Sequence, residues 1–206
     1  MASSDRPQIY LVTPPDIDLA AFPDQLARVL DATGIACIRL AMAGTDADRI
    51  GRAADALRLV AHERDVALVI ETHLQLAERH GLDGVHLSDG ARNVRAARKA
   101  LGADAIVGAF CGASRHEGMT AGEAGADYVA FGPAGDLPLG TGTRAERELF
   151  AWWSEMIEVP VVAEGGLTPA LVAELAPVSD FLAFGAEIWS AEDPVAALKA
   201  LLAPLG

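Results

Sequence analysis

Cysteine is scarce in this 206-residue chain: Cys37 and Cys111 lack metal-type spacing, and each stands inside an apolar run. Both are expected as buried free thiols rather than as a disulfide or half of a zinc site. Basic residues are short as well. Sixteen Lys and Arg against 29 Asp and Glu leave a net charge of −13, which argues against a nucleic-acid backbone or an anionic membrane surface as partner. Long apolar runs are missing too, the longest being strand-sized stretches such as Val66–Ile70, so no membrane-spanning helix is expected. The opening Met-Ala-Ser-Ser-Asp-Arg-Pro has neither the basic region nor the apolar stretch of a secretory signal, and the expected location is cytoplasmic. With 51% apolar and 22% charged residues, disorder and collagen-like structure are excluded.

What the chain does have is a rhythm. Eight short apolar runs recur: Ile9–Thr13, Ile35–Leu40, Val66–Ile70, Gly84–Leu87, Ile106–Ala109, Tyr128–Phe131, Val159–Ala163 and Phe181–Phe184. Most are apolar on both faces, as parallel strands covered by helices must be. Helix signals fill the gaps. Thr45-Asp-Ala-Asp offers a cap and an acidic first turn, Thr168-Pro169 places Thr as cap with Pro at the first helical position, and Gly34, Gly81, Gly102 and Gly125 each follow a helical stretch. Eight βα units at about 26 residues each fit one (β/α)₈ TIM barrel over residues 1–206, with no room for a second domain. Asp127-Tyr-Val-Ala-Phe-Gly132 and Asp180-Phe-Leu-Ala-Phe-Gly185 repeat one pattern as strands six and eight. The alternative, an open doubly wound sheet, normally carries a glycine-rich first βα turn, and Val12-Thr-Pro-Pro15 is not one.

In a barrel the site lies at the C-terminal ends of the strands, often with a phosphate on the loops after strands seven and eight. An anionic ligand of so acidic a chain needs backbone N–H groups or a placed Arg. Gly165 and Gly166 after strand seven, with Gly185 and Ala186 after strand eight, form such a phosphate cup. Glu164 directly precedes it. Arg39 shares strand parity with Cys37 and enters the barrel mouth, where Glu71 or Glu164 is the expected partner, since a buried unpaired charge is costly. His116, behind a Ser114 cap, follows strand five where a general acid or base sits, and His86 lies on strand four. His62, His73 and His80 are expected on the surface; of Trp152 and Trp153, one is expected in the core and the other exposed or at an interface.

Ile9-Tyr-Leu-Val-Thr13, Gly84-Val-His-Leu87, Gly125-Ala-Asp-Tyr-Val-Ala-Phe-Gly-Pro133, Pro160-Val-Val-Ala-Glu-Gly-Gly166 and Gly185-Ala186, in this order, resemble the thiamine phosphate synthase and TenI (thiazole tautomerase) superfamily. The resemblance spans the chain. It implies a small phosphorylated ligand of thiamine biosynthesis, the phosphate of a thiazole or product at Gly165, Gly166, Gly185 and Ala186, Mg²⁺ on a diphosphate in synthases, and a possible homo-oligomer. Departures fall on the diphosphate half. Where the synthase has Gln-Leu-Arg-x-Lys, this chain has Arg39-Leu-Ala-Met-Ala43; Asn-Asp is replaced by Glu71-Thr72, and His-Leu-Gly-Gln-x-Asp by His86-Leu-Ser-Asp-Gly-Ala91. The Thr-rich loop and Lys after strand six give way to Gly132–Gly140, with Asp136 and no cation. The expectation is metal-independent, tautomerase-type acid/base chemistry by His116, Glu164 and His86, without a cofactor. Two alternatives stand beside it: an active synthase whose Mg²⁺ is rebuilt on Asp89 or Glu71, and a non-catalytic phosphate-binding barrel.

Overall fold

The computed structural model describes residues 6–137 and 142–206. Eight parallel strands close into a barrel in chain order: β1 (Gln8–Val12), β2 (Cys37–Leu40), β3 (Ala67–Glu71), β4 (Gly84–Leu87), β5 (Ile106–Phe110), β6 (Tyr128–Phe131), β7 (Val161–Glu164) and β8 (Phe181–Phe184). Between and after them run α1 (Phe22–Ala32), α2 (Ala47–His62), α3 (Leu74–Arg79), α4 (Val94–Leu101), α5 (Arg115–Glu123), α6 (Arg147–Met156), α7 (Pro169–Leu175), α8 (Ala186–Trp189) and α9 (Pro194–Leu202). Every expected run became a strand. The seventh starts two residues late because Pro160 has no N–H to give to a ladder.

The repeated Asp-x-x-Ala-Phe-Gly pattern has a structural reason. At the foot of β6 the Asp127 N–H donates to Val107 O at 2.8 Å while the Val107 N–H donates to Asp127 Oδ2 at 2.7 Å. Asp180 makes the same exchange with Val161, its carboxylate accepting at 2.8 Å, and Asp83 before β4 makes it with Leu68 at 2.6 Å. One residue type thus staples three even-numbered strands to their predecessors and satisfies backbone donors at the barrel floor.

Two apolar layers follow from strand parity. Outward residues such as Leu11, Ile38, Leu68, Val85, Phe131 and Phe184 pack under the helices, and inward ones such as Tyr10, Cys37, Val69, Tyr128 and Val162 fill the barrel. Trp153 is fully buried against Phe131, centroids 5.1 Å apart, and its Nε1–H donates to Val159 O at 2.7 Å. Trp152 is half-buried, with the Arg115 guanidinium 4.6 Å over its ring. Both cysteines are buried free thiols, and burial pushes each up to about 12.

Helix capping follows the sequence with one correction. Thr168 caps α7 by accepting from the Leu171 N–H, but α2 is capped by Asp46 rather than Thr45, its carboxylate accepting from the Arg49 N–H at 3.0 Å. An ionised acceptor at a helix N-terminus is the stronger cap, since the charge also meets the helix dipole. His62 is exposed as expected, whereas His80 is tucked against Asp55, its Nδ1 2.9 Å from the carboxylate. Residues 1–5, part of the opening read above for a signal, and Pro138–Gly140 of the strand-six loop lie outside the described residues.

Candidate active site at the barrel mouth

Arg39, next to last in β2, points inward and is 6% exposed. Its Nη1 donates to Glu164 Oε2 at 3.0 Å and its Nη2 to Glu164 Oε1 at 3.3 Å, a two-pronged grip on the last residue of β7. Its Nε lies 3.5 Å from Glu71 Oε2 at the end of β3, within ion-pair range but without hydrogen-bond geometry. Burial is the largest single influence and works against the guanidinium charge, but the Glu164 carboxylate, its hydrogen bond and the Tyr10 and Tyr128 hydroxyls together outweigh it, so the Arg39 pKa is raised. Arg39 therefore joins Glu71 and Glu164 in one cluster. Glu164 keeps 15% of its side chain open to solvent.

Beneath the guanidinium lies a polar core that sequence reasoning only half found. Arg39 Nη1 also lies 2.6 Å from His86 Nε2; His86 Nδ1 is 2.9 Å from the Tyr128 hydroxyl, which is 2.8 Å from that of Tyr10. Burial, reinforced by Arg39, holds the His86 pKa well below its ordinary value, so the imidazole is neutral. Burial likewise raises both tyrosines. His86, at 1% exposure, touches no open space at the mouth and supports Arg39 from below.

His116 is not brought to this cluster. It sits exposed on the first turn of α5, behind the Ser114 Oγ that accepts from the Glu117 N–H at 3.2 Å, and no hydrogen bond or ion pair joins it to Arg39, Glu164 or His86. Ser114 is the cap of α5.

The glycine loops after β7 and β8 meet, and a carboxylate of the chain sits between them. Gly165 and Gly166 adopt φ of +84° and +71°, which side chains rarely tolerate, and the strand-six loop packs on them, with the Gly135 N–H donating to Gly165 O at 2.8 Å. The Glu187 carboxylate, from the first turn after β8, is seated in the cup. Its Oε1 accepts from the N–H groups of Gly166 at 2.8 Å and Leu167 at 3.3 Å, and its Oε2 from Gly185 at 2.8 Å. Ala186, the fourth residue assigned to the cup, opens α8, and its carbonyl accepts from the Ser190 N–H at 3.3 Å. The chain thus supplies its own anion to the amides.

The resemblance to synthases points to the ends of β3 and β4 for a metal on a diphosphate. There the Thr72 and Ser88 hydroxyls bond each other at 3.1 Å, Asp89 accepts from Asn93 at 2.6 Å, and Glu71 faces Arg39. Among the described residues no three His, Cys, Asp or Glu side chains converge to hold a metal ion. Hard cations need several oxygens at one point, and here Glu71 and Asp89 are each engaged by another side chain of the protein.

Closed barrel, polar mouth and glycine loops after β7 and β8 define a (β/α)₈ protein of the kind that handles small phosphorylated molecules. The family model for thiamine monophosphate synthase matches residues 9–189. A thiamine-phosphate synthase of Rhodospirillum centenum is 44% identical over 191 residues, 89% of each chain, and one of Erythrobacter litoralis 39% identical over 203 residues, 95% of each. Among solved structures, thiamine phosphate pyrophosphorylase from Pyrococcus furiosus superposes with a TM-score of 0.78 over 97% of both chains, at 22% identity, a likeness of fold. The chain belongs to the thiamine monophosphate synthase family, and its place is in thiamine biosynthesis.

Tyr10, Tyr128 and Glu187 are the site residues that sequence reading passed over. A signal existed for the tyrosines: both lie at inward positions of apolar strands, where a buried hydroxyl needs a polar partner. For Glu187 it was an acidic residue in the first turn after Gly185, where a carboxylate meets free N–H groups.

Proposed function

We propose that the protein binds a phosphorylated thiazole or thiamine phosphate at the barrel mouth and moves a proton on the thiazole without a metal, as a tautomerase does. The observation that carries this reading is the Glu164 carboxylate, gripped through both oxygens by Arg39, partly open to solvent and adjacent in sequence to the glycine cup. A phosphate monoester on the β7 and β8 loops sets its ring over the mouth, beside that carboxylate. Glu164 takes a ring proton and, as the carboxylic acid, returns it at the tautomeric position. Arg39 keeps the carboxylate aimed while the proton is away. Phosphate enters the cup as Glu187 leaves it. The donors at β3 and β4, spent on one another, support chemistry that needs no diphosphate or metal.

A second reading, synthase activity with Mg²⁺ held by Glu71 and Asp89, draws support from relatives at 35–44% identity that are named thiamine-phosphate synthases. One experiment separates the two. Incubation with a phosphorylated thiazole in D₂O and excess EDTA, followed by NMR, is expected to give ring-proton exchange that Glu164→Gln lowers by about 10²–10⁴-fold. Equal exchange in Glu164→Gln overturns the assignment, and turnover that appears only with Mg²⁺ and a pyrimidine diphosphate establishes the synthase instead.

A further inference from the structure

We infer that Tyr128 is a positioning residue that sets the tautomer of His86 from inside the barrel and, through it, the aim of Arg39 at Glu164. Donor counting fixes every direction in the buried chain. A guanidinium has five N–H donors and no acceptor, so His86 Nε2, 2.6 Å from Arg39 Nη1, must be the bare nitrogen. A neutral imidazole with a bare Nε2 carries its proton on Nδ1, and that N–H donates to the Tyr128 hydroxyl at 2.9 Å. The Tyr128 proton then has one partner, the Tyr10 hydroxyl at 2.8 Å. The relay runs one way, from the charged mouth to Tyr10 inside the barrel.

Charged and titratable groups surround His86 on several strands: Arg39 on β2, Glu71 opposite it in register on β3, and Tyr128 on β6. Only Tyr128 accepts from Nδ1 among the described residues. Remove that oxygen and the Nδ1–H is left buried without an acceptor, so the tautomer that Arg39 favours from one side loses its support from the other. The two tautomers then come close in energy, and any Nε2–H fraction sets two donors face to face and pushes Arg39 off Glu164.

Gly108 is what admits Tyr128 to this post. It lies opposite Tyr128 in the β5–β6 register, and a Cβ at Gly108 would stand 2.0 Å from Tyr128 Cζ and 2.4 Å from its hydroxyl. The bare backbone lets the phenol lie across β5 and stack on the imidazole, centroids 5.7 Å apart at 23°. A glycine inside a strand that costs conformational entropy is thereby accounted for by the close approach it permits.

The inference rests on the proton-transfer reading only for what Glu164 is aimed at, because the tautomer is observable without substrate. The test is ¹⁵N NMR of the His86 ring nitrogens in the full chain between about pH 5 and 8. The expected wild-type spectrum shows a protonated Nδ1 and a bare Nε2 throughout. Tyr128→Phe keeps the ring and should move the proton to Nε2 or to a mixture, whereas Tyr10→Phe should leave it on Nδ1, since Tyr128 still accepts. A wild-type proton on Nε2, or conversion to the imidazolium in that range, overturns the relay even if Tyr128→Phe does not fold. An unchanged tautomer in folded Tyr128→Phe overturns the positioning role. Either result leaves the exchange assay with Glu164→Gln to judge proton transfer by itself.

Discussion

Arg39 concentrates the energetics of the site in one side chain. It meets Glu164, Glu71 and His86, and its removal strands two carboxylates and a bare imidazole nitrogen in or near the core. Breaking a buried pair by deleting one partner costs about 3–5 kcal/mol, so Arg39→Met should lower unfolding stability by that amount in a urea titration. A change under about 1 kcal/mol would mean that the pair is solvated. His86 adds a pH signature. Its folded pKa is depressed below the unfolded value, so as pH falls below about 6.5 the unfolded chain takes a proton that the native one refuses. Stability attributable to His86 is complete above that pH and should fall by about 1.4 kcal/mol per pH unit below it, a slope that His86→Asn should remove. Arg39 and its carboxylates were legible from strand parity and the cost of a lone buried charge. The tyrosine relay was not, because parity places a residue inside the barrel without saying which inward residues meet across it. The place of His116 after strand five was readable, and that it stands exposed with no bond to Arg39, Glu164 or His86 was not.

Among the elements, the β7 and β8 loops carry the proposed phosphate cup. Gly165, Gly166 and Gly185 were readable as a cup because glycine at a strand-to-helix turn exposes backbone amides, but the reading asked which ligand fits and not which side chain arrives first. Glu187 sits two residues beyond Gly185, so it competes at the effective concentration of a tethered group. Glu187→Ala vacates three N–H groups, and hydrogen bonds to a charged acceptor contribute about 1.5–3 kcal/mol each. The variant should bind inorganic phosphate at least about tenfold tighter by calorimetry. Affinity equal to that of the parent protein would make Glu187 a mere staple between two loops. Strand positions were the most legible elements, since a strand buried on both faces must be a continuous apolar run. The Asp83, Asp127 and Asp180 staples were visible only as an unexplained echo in two of the three places, because β4 continues with His86-Leu87 instead of Ala-Phe. Gly108 gives the sharpest test of packing within an element. Gly108→Ala drives a methyl into the Tyr128 ring and should destabilise by about 1–3 kcal/mol or more, read as a lower denaturant midpoint, whereas Gly34→Ala, which meets open space, should not.

For the molecule as a whole, a net charge of −13 surrounds a mouth whose buried cation is already neutralised by its own carboxylates. Such a field disfavours highly charged anions more than singly esterified phosphates. No helix among the described residues is long and apolar enough to cross a membrane. The fold itself was legible from end to end, because eight apolar runs at one spacing leave few arrangements that bury both faces of every strand. The central claim, that ligand recognition works through a phosphate monoester without a metal, is tested most directly by thermal unfolding. The protein would be titrated with a phosphorylated thiazole, thiamine phosphate and pyrophosphate, each with Mg²⁺ and with EDTA. A ligand at a hundred times its Kd stabilises the native state by about 2.7 kcal/mol, enough to move Tm measurably. The account predicts the same rise in Tm for the two monophosphates in Mg²⁺ and in EDTA and none for pyrophosphate. A rise with pyrophosphate that requires Mg²⁺ would contradict it.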